Sequence, residues 1–247
     1  HPPHTIVFSL ARSLPGVSPA LPFNSKKREQ TKKLFIQENL SSWKVYLSVN
    51  FSVRFQPWFK FMKLLGHEND GGIVQCDFDP FPNIRNMEFL LGSLKLLSVP
   101  NAGGSSILSE VFSYELLGRC FGAKLVKTEM EINYFPHGGA ITDYVADIDG
   151  TRLGVSVTRA MKFYGEYTDE DARHLLTKKL KGVNQSSKNS CETWTKQILH
   201  VWTTSENITD VITRVYEHDI PQILKSNTLV LVTTTTRSDF MFKNCFS

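Results

Sequence analysis

The sequence has few cysteines, and no two of them lie close together. Only four occur among 247 residues, at Cys76, Cys120, Cys191 and Cys245, and no Cys-x-x-C pair is present. A zinc knuckle needs such a pair, and a disulfide framework is typical of much shorter secreted chains. We therefore expect free, mostly buried thiols in a reducing compartment, which predicts an intracellular protein, cytoplasmic or nuclear.

Long apolar runs are also lacking. No stretch approaches the roughly 20 apolar residues that a transmembrane helix needs, so we expect no membrane partner. A strong charge of either sign is absent too, because 28 Lys and Arg residues against 24 Asp and Glu residues leave a net charge of +4. This mild excess permits a polyanionic partner without requiring one. The Gly-x-Ser-x-Gly, Walker and dinucleotide-binding glycine motifs are missing, which excludes the enzyme classes built on them.

The composition that is present is that of a globular protein, with 41% apolar and 21% charged residues. Five prolines in residues 1–25 predict an extended arm. Residues 26–104 form a smaller basic and aromatic accessory region. The stretch "VPNAGGSS", residues 99–106, predicts a boundary before a core at 105–247.

The accessory region shows three patterns. Residues 25–40, "SKKREQTKKLFIQENL", predict a basic surface helix. Apolar side chains alternate in residues 43–55, which predicts a half-buried strand or a bent hairpin. Residues 66–83 are punctuated by glycine and proline and are predicted to be a loop, and a helix is predicted at 84–98.

The core region has a clearer order of elements. The pair Asp149-Gly150 is a strong hairpin signal between two short β-like runs. The full order is helix, strand, strand, strand, helix, strand, helix, strand. The predicted helices are 107–118 and 168–181, with one more helix before the last strand, and the predicted strands are 123–135, 141–148, 152–159, 196–204 and 228–235. Hairpins followed by strand-helix-strand units predict one mixed α/β sheet with helices on both faces.

The order αβββαβ, with an acid on the second strand and a third strand entered through Asp149-Gly150, resembles the restriction-endonuclease-like, or PD-(D/E)XK, nuclease superfamily. The resemblance covers residues 105 to about 204, and residues 205–236 would add an αβ unit. It implies a phosphodiesterase acting on DNA or RNA. It also implies that two strand acids hold Mg²⁺, since hard cations on carboxylates activate water and neutralise the transition state.

The resemblance assigns roles to particular residues. Asp143 matches the second-strand acid and is the implied metal ligand. Ser156 stands where the second acid belongs, and Thr158 stands where the lysine belongs. Glu115, or as second choice Glu110, matches the helical glutamate. One carboxylate and two hydroxyls suit Mg²⁺ poorly, so the departures at Ser156 and Thr158 put the chemistry in question.

Other acids could complete the metal site. Asp147 lies four residues after Asp143 and on the same face of an extended strand. Glu129 and Glu131 share a face of the preceding strand with Lys127. We predict Asp143, Asp147 and Glu129 as the metal ligands. The alternative is that these acids only solvate the strands and that the protein binds no cofactor.

Several cations follow the third predicted strand. In a nuclease they would bind phosphates, and the affinity for nucleic acid would depend on salt and not on base sequence. The lysines at the end of a helix also complement its dipole without any ligand. The predicted nucleic-acid-binding residues are Arg159, Lys162, Arg173, Lys178, Lys179 and Lys181.

Two functions remain open from the sequence. The first is a nucleic-acid-processing or nucleic-acid-binding protein of the PD-(D/E)XK type, either a metal-dependent phosphodiesterase or a pseudoenzyme with a degenerate site. The second is a non-catalytic interaction module that keeps the nuclease fold as a scaffold for protein partners. A fold alone does not decide between them, because different functions occupy the same fold.

Overall fold

The computed structural model describes residues 5–7, 44–46, 50–54, 58–81, 86–100, 102 and 106–243. The basic helix predicted at 25–40 and most of the proline-rich arm lie outside these residues, as does Cys245.

The described residues form one nine-stranded mixed sheet with helices packed on it. The strands are β1 (Thr5–Val7), β2 (Lys44–Tyr46), β3 (Phe51–Arg54), β4 (Gly72–Pro80), β5 (Lys124–Thr128), β6 (Tyr144–Ile148), β7 (Thr151–Ala160), β8 (Lys196–Thr203) and β9 (Thr228–Thr234). Their spatial order is β1-β2-β3-β4-β9-β8-β7-β6-β5. The α-helices are α1 (Trp58–Gly66), α2 (Leu91–Ser98), α3 (Ile107–Phe121), α4 (Asp169–Asn189), α5 (Glu206–His218), α6 (Gln222–Lys225) and α7 (Asp239–Lys243).

The predicted order of the core elements is confirmed. The chain runs α3, β5, β6, β7, α4, β8 and then adds α5 and β9. β5, β6 and β7 pair antiparallel, whereas β7, β8 and β9 pair parallel. The turn between β6 and β7 has positive φ at Asp149 (48°) and Gly150 (83°), as a tight two-residue hairpin requires.

Helices cover both faces of the sheet, as the pattern predicts. Ile198 and Trp202 pack into a core beneath α3, whereas Leu199 and Val201 pack into a second core beneath α4 and α5. Every residue of β8 is buried in consequence. A strand covered on both faces becomes a continuous apolar run, which is why β8 and β9 lack alternation.

The accessory region joins the same sheet. β2 and β3 form the predicted bent hairpin, and β4 pairs parallel with β9. Phe51, Val53 and Phe78 belong to the hydrophobic core that α3 completes. The stretch at 99–106 therefore does not separate two hydrophobic cores.

Two predicted elements of the accessory region differ in the structure. The loop predicted at 66–83 contains β4, because its flanking glycines and prolines bound a strand of nine residues. The helix predicted at 84–98 is the shorter α2, which begins at Leu91.

Two core elements also differ. The strand predicted at 123–135 ends at Thr128, where a capping box starts a short 3₁₀ helix, Glu129–Glu131. α4 does not stop at Gly182 but continues to Asn189. Gly182 lies against the loop before β6, since an added Cβ would meet the Cβ of Ala140 at 3.2 Å. The glycine therefore permits close packing and does not end the helix.

Candidate active site

The candidate site lies at a step in the sheet, where strand β6 stops pairing and its neighbour β7 continues. β6 begins at Tyr144, which pairs with Val155, whereas β7 continues to Ala160. Asp143 stands at this step, and its N–H donates to the Val155 carbonyl across 3.1 Å. Its Oδ2 accepts the N–H of Val157 at 2.5 Å. The main chain of β7 thus fixes the aspartate where the ladder ends.

Glu110, on helix α3, lies close enough to Asp143 for its charge to affect the ionisation of the aspartate. The glutamate is buried one turn into the helix, and its Oε1 accepts a hydrogen bond from Ser106 Oγ at 2.6 Å. Burial and then the nearby Glu110 carboxylate raise the pKa of Asp143 to about 8. Burial likewise raises the pKa of Glu110. Burial and a second carboxylate both disfavour the charged form of an acid, which is why the two pKa values rise.

Lys179 and Glu129 complete the charge cluster. The ammonium of Lys179, on α4, lowers the pKa of both Asp143 and Glu110. The carboxylate of Glu129, on the 3₁₀ helix, raises the pKa of both. Glu129 is itself held, because its Oε2 accepts the N–H of Ala102 at 2.7 Å. We call Glu110, Glu129, Asp143 and Lys179 the edge site.

The loop that precedes Asp143 is held in place by contacts that the sequence does not reveal. The N–H of Thr142 donates to the Tyr134 hydroxyl at 2.8 Å, and its Oγ1 lies 3.0 Å from Ser186 Oγ on α4. Burial raises the pKa of Tyr134, and the charges of Asp143 and Glu129 raise it further. α4 therefore supplies Lys179 and also anchors the residue before Asp143. A glycine in the middle of a well-capped helix, Gly182, is the one sequence signal of this close approach.

Ser156 and Thr158 lie on β7, the strand that holds Asp143. They pair with Leu199 and Val201, so they face α4 and are partly buried. Ser156 follows directly on Val155, to whose carbonyl Asp143 donates. Ser156 thus lies in the part of β7 whose main chain holds Asp143, and Thr158 lies two residues further along the strand. They add neutral oxygens and no charge.

Glu115 does not reach the edge site, and the first-choice prediction for the helical glutamate is wrong. Glu115 is fully buried, accepts the N–H of Leu90 at 2.5 Å and pairs with Arg119 Nε at 2.6 Å. Five residues of α-helix turn a side chain about 140° from Glu110. Glu110, the second choice, is the residue that lies near Asp143.

Asp147 does not approach Asp143 either, which contradicts its predicted role as a metal ligand. Four residues of strand place the two acids about 13 Å apart along β6. Asp147 Oδ1 instead accepts the N–H of Gly150 at 3.0 Å in the hairpin turn. Glu131, which was predicted to share a strand face with Glu129, pairs with Lys95 at 2.7 Å.

The predicted basic residues do not form one continuous track. Lys162 pairs with Asp171 at 2.6 Å, and Arg173 pairs with Asp219 at 2.6 Å. Arg159 Nη1 donates to the carbonyls of Met241 and Phe242 at 3.0 and 3.1 Å. Burial lowers the pKa of Arg159, and the Glu110 carboxylate offsets part of this effect. Lys178 and Lys181 are exposed on α4, on a face turned about 100° or more away from Lys179.

The donors of the edge site suit a magnesium ion more than a zinc ion. Among the described residues, no three His, Cys, Asp or Glu side chains converge to hold a metal. Magnesium commonly takes one or two carboxylates and completes its shell with water and substrate phosphate. Glu110 and Asp143 provide such a pair.

No helix in the part of the chain that the structure describes is long and apolar enough to cross a membrane.

Comparison with known proteins gives a relative but no family. No protein-family model matches the chain. The structure of Pyrococcus furiosus SfsA in complex with Ca²⁺ is similar over 56% of this chain and 69% of that one, at 13% identity and a TM-score of 0.29, which does not establish a common fold. The chain is 44% identical over 192 residues, 74% of its length, to the AAC-rich mRNA clone AAC4 protein of Dictyostelium discoideum, and it spans 28% of that relative.

Proposed function

We propose that the protein is a metal-dependent phosphodiesterase that acts on nucleic acid at the edge site. The single observation that carries the proposal is that Asp143, held by the main chain of β7, lies near Glu110 and Lys179 from two other elements, whose charges shift its pKa in opposite directions. Groups of perturbed pKa that converge from distant parts of a chain mark candidate functional sites.

The roles follow from the chemistry of each group. Glu110 and Asp143 would hold a magnesium ion, which when bound supplies an activated water and neutralises charge on the phosphate. Val157 fixes the Asp143 carboxylate through its N–H, so that one oxygen stays oriented. Lys179 would stabilise the charge that develops on the phosphate oxygens, which is the role the resemblance gives to the lysine missing at Thr158.

Ser156 gives the alternative function its support. A hydroxyl at this position leaves the site with one strand acid where the superfamily has two. A chain with that substitution could keep the fold as a scaffold for protein partners and cleave nothing. The choice between the two functions is therefore experimental.

Cleavage assays test the proposal directly. The wild-type protein would be incubated with single- and double-stranded DNA and RNA in Mg²⁺ or Mn²⁺, beside the variants Asp143→Asn, Glu110→Gln and Lys179→Met. We expect each variant to lower the rate by about 100-fold or more, equivalent to about 2.7 kcal/mol of transition-state stabilisation. Each substitution preserves the size of the side chain, so the fold should remain.

Two matched controls share the same elements. Asp147→Asn removes a carboxylate from the far end of β6, and its amide oxygen can still accept the Gly150 N–H. Lys181→Met removes an exposed lysine from α4. Both should cleave like the wild type. Unchanged cleavage by Asp143→Asn would refute the assignment, and absent cleavage by a folded wild type that also binds no metal would favour the scaffold.

A further inference from the structure

Exposed apolar side chains border the edge site. Residues 106–243 expose five large apolar side chains, and four of them lie on the two segments that lead to or from the edge site. The segment between β5 and β6 ends at Asp143, and the segment between β7 and α4 follows the strand that holds Asp143. The four are Met130, Phe135, Phe163 and Tyr164, and the fifth, Ile223, lies on α6.

The two most exposed rings are neighbours in residues 161–168, which we call the aromatic loop. Phe163 is 79% exposed and Tyr164 is 89% exposed. Six residues of chain separate Phe163 from Val157, so the ring lies within about 20 Å of the Asp143 anchor. Contiguous exposed apolar groups on a soluble protein mark an interaction surface.

The acids that follow the aromatic loop are neutralised. The first turn of α4 carries three acidic residues, and each has a cationic partner. The pairs are Lys162 with Asp171, Arg173 with Glu170, and Arg214 with Asp169. The loop itself carries two charged residues, Lys162, which is paired with Asp171, and the exposed Glu166.

We propose that the aromatic loop stacks on unpaired bases of a single-stranded nucleic acid whose backbone passes through the edge site. This inference rests on the proposed function and specifies its substrate class. Stacking needs a free base face, which a single strand offers and a duplex hides. Lys179 of the edge site supplies a cation for the backbone. Rings next to cations are the combination that binds single strands without sequence preference.

The test is a binding measurement without divalent metal, so that no cleavage intervenes. A fluorescent oligonucleotide of about 12 nucleotides, within the usual range of single-strand sites, is titrated and followed by anisotropy. We expect the single strand to bind about 10-fold more tightly than a duplex of the same sequence. Phe163→Ala and Tyr164→Ala should each weaken single-strand binding about 10-fold and leave the salt dependence unchanged, because no phosphate contact is lost.

Ile223→Ala is the matched control, since it removes an equally exposed apolar side chain from α6. A strand with abasic sites gives a second control, because it keeps the phosphates and lacks the rings. The abasic strand should bind weakly, and Phe163→Ala should not weaken its binding further.

Equal affinity for single strand and duplex, or ring variants that bind like Ile223→Ala, would overturn the inference. Base-dependent binding without cleavage would refute the proposed function alone, whereas cleavage of duplex without single-strand binding would refute this inference alone.

Discussion

Glu110 and Glu115 lie five residues apart on α3, yet they occupy opposite electrostatic surroundings. Glu110 is crowded by the carboxylates of the edge site, whereas Glu115 is fully buried in an ion pair with Arg119. We expect Glu115→Ala to destabilise the fold by about 3–5 kcal/mol, because it leaves a largely buried guanidinium unpaired. Glu110→Ala should change the stability by about 1 kcal/mol or less, since it also relieves repulsion. Urea unfolding followed by circular dichroism measures both, and equal losses would contradict the assignment.

His200 makes the stability depend on pH. Its Nδ1 lies 2.8 Å from Ser113 Oγ and its Nε2 lies 2.8 Å from Thr233 Oγ1. Burial lowers the pKa of His200 from 6.5 to about 3. The unfolded chain therefore binds the proton first, and the stability is fully present above about pH 6.5 and is lost as pH falls towards 3, by up to about 1.4 kcal/mol per pH unit.

The measurement is urea unfolding between about pH 7 and pH 4.5, a range over which the histidine contribution should decrease steadily. His200→Gln should flatten the pH dependence, because glutamine does not titrate. His174→Gln, at an exposed position of α4, is the control and should retain the wild-type slope. An identical slope for His200→Gln and the wild type would refute the prediction.

Lys196 joins the start of β8 to the turn after α1 by hydrogen bonds. Its side chain is fully buried, and its Nζ donates to the carbonyls of His67 at 2.7 Å and Asp70 at 2.5 Å. Lys196→Met should destabilise the protein by about 1–3 kcal/mol, because the hydrogen bonds of a charged ammonium to two carbonyls are lost. Hydrogen exchange should also accelerate in residues 67–71. Lys188→Met, at an exposed site, should change neither the stability nor the hydrogen exchange. Unchanged exchange of residues 67–71 in Lys196→Met would contradict the prediction.

Gly154 has no side chain, which leaves room for the indole of Trp194 to pack against the sheet. A Cβ at this position would lie 2.7 Å from Trp194 Cε2, while the indole N–H donates to Ser187 Oγ at 2.8 Å. Gly154→Ala should therefore cost about 1–3 kcal/mol and shift the fluorescence of the displaced tryptophan. Gly66→Ala is the control, because nothing lies within 4 Å of an added Cβ there. A neutral Gly154→Ala would show that the ring moves freely.

The order of the core elements was predictable because its signals are local. The Asp149-Gly150 turn, the Thr168 cap and the acids in the first turn of α4 each act within a few residues. Asp143 was found because it precedes such a hairpin. The order of these elements therefore follows from short-range sequence patterns alone.

The helical glutamate and β4 could not be predicted in the same way. Every residue from Leu108 to Leu117 is buried, so α3 has no polar face to show which glutamate points to the sheet edge. β4 depends on β9 for its pairing, and its flanking glycines and prolines suggest a loop when read alone. Lys179 likewise joins the edge site through packing of α4 on the loop before Asp143, a contact that no local pattern encodes.

The parallel pairing of β4 with β9 has a consequence for synthesis of the chain. Cys76 and Thr233 sit side by side in this pairing although they are 157 residues apart. A ribosome therefore releases β4 long before the strand that fills the gap between β4 and β8. Until then both strands expose unpaired N–H and C=O groups along an inner edge, which is the kind of surface on which nascent chains aggregate. The sheet between β4 and β8 therefore closes only when β9 has left the exit tunnel.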